Sequence, residues 1–141
     1  MRIEEDIKLD YNNVLIRPKR STLGSRKEVD LERGFKFRNY QGSTIDDYRH
    51  YRGVPIMASN MDGVGTFDMA DILAKQKIFT CLVKTLEVDE LVNYFNSDHD
   101  FRREHVAMSI GITDNDSAKF KEVYNQVDKG NLKYVCIDVA N

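Results

Sequence analysis

The sequence has none of the patterns that announce a metal centre, a disulfide framework or a membrane span. Its two cysteines, Cys81 and Cys136, lie far apart, each inside an apolar run and away from any CxxC or Cys/His spacing, which excludes a zinc-ligand or disulfide reading. Its three histidines, His50, His99 and His105, have no second ligand at i+3 or i+4 beyond generic acids, so a metal site is not expected. No run reaches the roughly 20 apolar residues that cross a bilayer, and the opening MRIEEDIKLDYNN lacks the apolar core of a signal peptide. A soluble, reducing, cytoplasmic setting with no membrane partner is the expectation. There is no excess of one charge either. A net charge of −2 argues against nucleic acid as a partner and confines any anion site to a local patch. The first strand-to-helix loop also lacks the G-x-G-x-x-G of a dinucleotide-binding start, for which Gly63-Val64-Gly65 is a weak substitute.

What the chain has is apolar content sufficient for a core, 41% hydrophobic with 31% charged residues over 141 positions, and a regular alternation of strand and helix periods. Residues 1–52 are polar and punctuated, and read as an extended arm with short strands. From residue 53 the character changes. Val54 to Ala58 is a buried-strand run ending in the polar loop Ser59-Asn60-Met61-Asp62-Gly63. Thr66 can cap a helix whose apolar face holds Phe67, Ala70, Leu73 and Ala74. Strand signals follow at Ile78 to Val83, His105 to Ile112 and Lys133 to Ala140. Helical stripes lie between them at Val88, Leu91, Val92 and Phe95 and at Phe120, Val123, Tyr124 and Val127, the last stopped by Gly130. The region 53–141 is therefore four strands and three helices in β-α repeats, an α/β unit with parallel strands and right-handed crossovers. Half of a barrel and a small doubly wound sheet both fit this pattern.

Ligands meet the carboxyl ends of parallel strands, so the polar residues there are the first candidates. They are Ser59, Asn60 and Asp62, then Lys84, then Gly111 and Thr113, then Asp138 and Asn141. Alternation places Lys84 with Thr80 and Leu82. Its ammonium could meet an acid, a phosphate or a substrate oxygen, or simply be solvated. Asp138, grouped with Tyr134 and Cys136, needs a partner if buried, and Lys84 is a candidate for either a structural pair or a functional one. The basic run from Arg17 to Arg26, with Ser25 beside Gly24, reads as a solvated face or a phosphate-binding loop. Cys136, with no histidine to activate it, reads as a core residue.

Several of these segments carry a resemblance. Lys8-Leu9-Asp10-Tyr11-Asn12-Asn13-Val14-Leu15-Ile16-Arg17-Pro18-Lys19-Arg20-Ser21 closely resembles the opening of GMP reductases, and Val29-Asp30-Leu31-Glu32-Arg33 continues in register. Asn60-Met61-Asp62-Gly63-Val64-Gly65-Thr66-Phe67 looks like their first strand-end loop, and Cys136-Ile137-Asp138-Val139-Ala140-Asn141 like their fourth strand. IMP dehydrogenase is the sister family. It usually carries regulatory modules after the second barrel strand, and the roughly 50 residues between Lys84 and the fourth strand leave no room for them.

The resemblance implies the N-terminal half of a TIM (β/α)8 barrel with an extended N-terminal arm, and a cytoplasmic enzyme of purine nucleotide interconversion that converts GMP to IMP and ammonia with NADPH. It implies that Ser25, Arg26, Lys84, Asp138, Val139 and Ala140 line the cofactor site and that Asn60, Met61 and Asp62 border the nucleotide. It places the nucleophilic cysteine and a potassium ion beyond Asn141, so the chain alone is expected to be inactive, and it suggests a homotetramer of full-length chains. The sequence departs from the family at Val83 and Thr85, where histidines usually flank the lysine, and at Gly63, where threonine is usual. The alternatives to set against this reading are an IMP dehydrogenase-type oxidoreductase and a non-catalytic nucleotide-binding or interaction module.

Overall fold

A computed structural model describes residues 6–36, 50–97 and 104–139. The chain divides into two compact units, 1–30 and 31–141. The described residues of the first hold two single-turn 3-10 segments. At Tyr11–Asn13, Asp10 and Asn13 close a reciprocal capping box, with the Asp10 carboxylate accepting from the Tyr11 amide at 2.7 Å. At Arg26–Glu28 the Ser25 hydroxyl accepts from the Lys27 amide at 3.2 Å. Leu15 and Ile16 are almost fully exposed.

The second unit is a mostly parallel sheet with helices. Its elements are β1 (Arg33–Lys36), β2 (His50–Ala58), α1 (Phe67–Lys75), β3 (Ile78–Cys81), α2 (Val88–Asn96), β4 (Val106–Ile110), α3 (Asp114–Gln126) and β5 (Tyr134–Ile137). Strand order is β1-β2-β3-β4-β5, with β1 antiparallel and the other neighbours parallel. Each parallel strand is added on the same side as the last. A doubly wound sheet instead reverses its order at a switch point, so this one is singly wound. Among the described residues β2, β3, β4 and β5 run parallel, with α1, α2 and α3 between them in the chain.

β2 starts at His50, earlier than the apolar run suggests, because His50–Gly53 pair with β1 while Val54–Ala58 pair with β3. Between these stretches the β2–β3 register slips, Val54 facing Ile78 and Met57 facing Phe79. Pro55 falls inside the slip, where the missing N–H costs no ladder bond.

The two faces of the sheet carry different cores. Under the helices lie Ala70, Leu82, Leu91, Tyr94, Phe95, Val106, Met108, Val123, Val127 and Leu132. On the opposite face Phe79, Cys81 and Ala107 pack with Tyr51, Tyr134 and Cys136. Thr66 caps α1 as expected, its hydroxyl accepting from the Met69 amide at 3.2 Å. Phe67 then stacks on Tyr94 of α2 at 4.4 Å between ring centroids. α3 differs from its expected stripe: Val123 and Val127 are buried, but Tyr124 is 59% exposed and rests against Phe120. It also ends at Gln126, before Gly130. Asn96 of α2 donates to the Gln126 carbonyl at 3.1 Å and accepts from the Asp128 amide at 2.8 Å, so a neighbouring helix supplies the stop.

Candidate functional site

The face of the sheet away from the helices is graded from apolar to polar along the strands. At its amino end Tyr51 meets Phe79 edge-on at 5.3 Å, and Phe79 meets Tyr134 at 5.2 Å. These rings, with Phe35, Val54, Pro55 and Met57, line an open cavity of about 420 Å³. Beside and beyond them stand small or soft side chains, Cys81 and Ala107 level with Tyr134 and Ser109 and Cys136 one step further along the strands. The Ser109 hydroxyl is buried with no hydrogen-bond partner among the described residues. At the carboxyl ends the groups become polar, and there Asn60 Nδ2 donates to Asp138 Oδ2 at 2.9 Å.

That contact corrects one pairing. Asp138 is joined to Asn60, not to Lys84. Asp138 follows Tyr134 and Cys136, which pack against Phe79 and Cys81, whereas Lys84 alternates with Thr80 and Leu82, and Leu82 belongs to the helix-covered core. The two side chains therefore set out from opposite faces. The Asp138 amide donates to the Ile110 carbonyl at 2.8 Å and extends the β4–β5 ladder past the last formal strand residue, leaving the carboxylate exposed at the rim rather than inside the strand.

The Asn60–Gly65 loop is built for close approach. The Val64 and Gly65 amides both donate to the Met61 carbonyl, at 3.0 and 2.9 Å, and Gly63 takes a φ of 75° that suits glycine. The Gly65 carbonyl accepts from the Val83 amide at 2.8 Å. A Cβ on Gly65 would lie 2.5 Å from the Cys81 carbonyl and 2.7 Å from the Val83 nitrogen. Gly65 thus docks the loop onto the end of β3, which is a different task from cradling a phosphate. Asn60 is half-buried, while Met61 and Asp62 are exposed at the rim.

Lys84 is exposed beyond β3, and its ammonium makes no hydrogen bond or ion pair among the described residues. Its backbone is held: Lys119 of α3 donates to the Lys84 carbonyl at 2.9 Å and also to the Leu86 carbonyl. Across the rim, Thr113 caps α3 in a reciprocal box with Asp116. The carboxylate accepts from the Thr113 hydroxyl at 2.6 Å and from its amide at 3.0 Å. Those two bonds, a backbone bond from Gly111 and the positive field of Lys84 hold Asp116 below the usual carboxylate range. Of this group the sequence pointed to Lys84, Gly111 and Thr113. It missed Asp116 and Lys119, although the T-x-x-D spacing of a capping box was there to be read.

The remaining candidates lie elsewhere. Ser25 and Arg26 belong to the first unit, where the Ser25 hydroxyl caps a turn and the Gly24 amide donates to Glu28 Oε2 at 3.1 Å. Arg26 is exposed, as is Val139. Ala140 and Asn141 lie outside the described residues, as does His99. Cys81 is not activated: burial, and then the neighbouring Cys136, push its thiol up to about 12. Among the described residues no three His, Cys, Asp or Glu side chains gather as a metal site, and no helix is long and apolar enough to cross a membrane.

No family model matches the sequence. Individual proteins do. The chain is 46% identical over 140 residues to a GMP reductase of Caenorhabditis elegans, with 99% of this chain and 37% of the relative covered. It is 47% identical over 141 residues to a GMP reductase of Buchnera aphidicola, covering 100% of the chain and 38% of the relative. It is 42% identical over 140 residues to human GMP reductase 1, covering 99% and 38%. Over essentially its whole length the chain is thus similar to part of GMP reductases. It spans somewhat over a third of the length of these relatives. The Asn60–Asp138 clasp and the rim group of Lys84, Thr113 and Asp116 both stand at the carboxyl ends of the parallel strands, the side on which such sheets take ligands.

Proposed function

We propose that the chain is part of an NADPH-dependent GMP reductase that converts GMP to IMP and ammonia, and that its four parallel strands form half of a (β/α)8 barrel. The observation that carries this reading is the 42–47% identity over essentially the whole chain to proteins named GMP reductase. The singly wound strand order supports the barrel, because a barrel adds each strand on the same side until it closes. The polar strand ends support a ligand site there.

On this reading Asn60, Met61 and Asp62 border the purine nucleotide, and Lys84, Asp138, Val139 and Ala140 line the cofactor site, with Ser25 and Arg26 reaching a cofactor from a neighbouring subunit of a tetramer. The residues fit an anionic cofactor in one respect: Lys84 offers an ammonium with no competing ion pair among the described residues. NADPH, when bound, supplies the hydride that replaces the 2-amino group. Lys84 would meet a phosphate or a polar oxygen, and Asn60, by holding Asp138 Oδ2, leaves Oδ1 to accept from a ligand hydroxyl or amine. The attacking cysteine and a potassium ion belong to sequence outside these 141 residues, and the complete enzyme is cytoplasmic.

The test uses a polypeptide that joins this chain to the remaining length of its relatives. GMP-dependent oxidation of NADPH, lowered by about 100-fold or more in Lys84→Ala, is the expected result. IMP-dependent reduction of NAD in place of it would assign the chain to the dehydrogenase chemistry. The 141-residue chain by itself should show neither activity.

A further inference from the structure

The loop that carries Lys84, between β3 and α2, is held from the next β-α unit. Its last anchors on the strand side are the Leu82 and Val83 amides, which donate to the Ala107 and Gly65 carbonyls, and α2 begins only at Val88. Between these points Lys119 of α3 donates to two carbonyls of the loop, that of Lys84 at 2.9 Å and that of Leu86. An ammonium has three donors and no acceptor, and here two donors pin carbonyls two residues apart. Such charge-assisted bonds are stronger than neutral ones. Lys119 is half-buried, whereas the Lys84 side chain is exposed. Asp116, three residues before Lys119 and so on the same side of α3, is itself fixed by Thr113 and packs over Gly111, where a Cβ would lie 2.5 Å from Asp116 Oδ2.

We propose that Lys119 is a positioning residue for Lys84: by clasping the Lys84 and Leu86 carbonyls it fixes where the loop presents the Lys84 ammonium to an anionic ligand at the rim. The proposal rests on the reading above, in which Lys84 meets a phosphate or polar oxygen of the cofactor. Lys119 acts through the backbone of the loop, because its own ammonium is committed to the two carbonyls. A loop held in place meets its ligand without the ordering cost of a free one, and a misplacement of about 1 Å at a reacting site lowers rate by about 100-fold. The clasp joins neighbouring β-α units of this chain, whose helices α2 and α3 are also tied by Asn96 and the Gln126 carbonyl. Strands added beyond β5 to close a barrel therefore leave it in place.

The test uses the joined polypeptide described above, with steady-state kinetics and amide hydrogen exchange. Lys119→Met keeps the alkyl stem and removes the donors. It should raise KM for NADPH by about tenfold, leave KM for GMP unchanged and speed exchange at the amides of residues 85–87. A merely structural loss would lower the active fraction and leave both KM values alone. In a Lys84→Ala background the same substitution should change KM for NADPH by less than about twofold, because no ammonium is left to position. A tenfold change there would mean that Lys119 touches the ligand itself, which overturns positioning and leaves the role of Lys84 standing. Parental kinetics in Lys84→Ala would instead remove the role of Lys84, and positioning with it. Exchange or KM for NADPH unchanged in Lys119→Met would also overturn the proposal, the exchange result even where no turnover is measured. Should circular dichroism show that Lys119→Met does not fold, Lys119→Gln, with less reach, carries the same expectations.

Discussion

Gly65 shows how much a single hydrogen in place of a methyl can carry. The atoms that a Cβ would strike are backbone, the Cys81 carbonyl and the Val83 nitrogen, and backbone cannot swing aside as a side-chain tip can. Gly65→Ala should therefore cost about 2 kcal/mol or more in urea unfolding and loosen the Asn60–Gly65 loop. Loss of less than about 0.5 kcal/mol would mean that the loop is not docked as described. His105 makes a second residue-scale prediction. It is buried beside Tyr51, its Nδ1 has no partner among the described residues, and burial lowers its pKa. Between the ordinary value of 6.5 and that lower folded value the unfolded chain holds more protons, so stability falls as pH drops through this window and levels off below it. His105→Phe should flatten that slope in denaturation measured across the range. At this scale the sequence showed which strand ends carry polar groups, since alternation and apolar runs reveal them. It did not show that Asp138 would be met by Asn60, because that depends on which faces of β3 and β5 share a core.

At the scale of elements, ends matter more than middles. The Thr113–Asp116 box fixes the start of α3, and Thr113→Ala should cost about 1 kcal/mol by removing the cap. Asp116 is held low when folded, so its contribution is present above the usual carboxylate range and is lost as pH falls through the folded pKa. The same substitution should weaken that acid-side loss, which denaturation midpoints at pH 7 and pH 3 would reveal. After α1 the chain turns at Lys77 with a φ of 58°, a conformation that glycine adopts freely, while its ammonium holds Glu32 at 2.5 Å. Lys77→Gly and Lys77→Ala both remove the ion pair, so glycine should be the more stable by about 1 kcal/mol. Helix positions were legible because apolar residues recur at the helical period and Thr66 marks the start of α1, whereas Thr113 was read only as a polar strand end. The end of α3 was not, because Asn96 of another helix supplies the stop and Gly130 only turns the chain afterwards.

At the scale of the whole molecule, the sheet among the described residues is open. Val54–Ala58 of β2 pair with β3 on one side only, β1 having taken the His50–Gly53 half, and β5 pairs only with β4 among the described residues. Ile137, at 64% exposure, and Val139, at 44%, stand beside that free edge. Unpaired strand edges with apolar flanks recruit other chains. The 141-residue chain should accordingly self-associate with rising concentration in sedimentation velocity, and Ile137→Lys should reduce it; a monodisperse monomer at all concentrations would count against open edges. The sequence by itself determined the order and type of the elements of the parallel sheet, the start of α1 and the resemblance to GMP reductases, because these rest on local periodicity, a capping residue and motif identity. Only the tertiary structure decided which polar ends meet and that β1 extends β2. Each of these follows from strand register and from the choice of sheet face, which bring together residues far apart in the chain and leave no local mark in it.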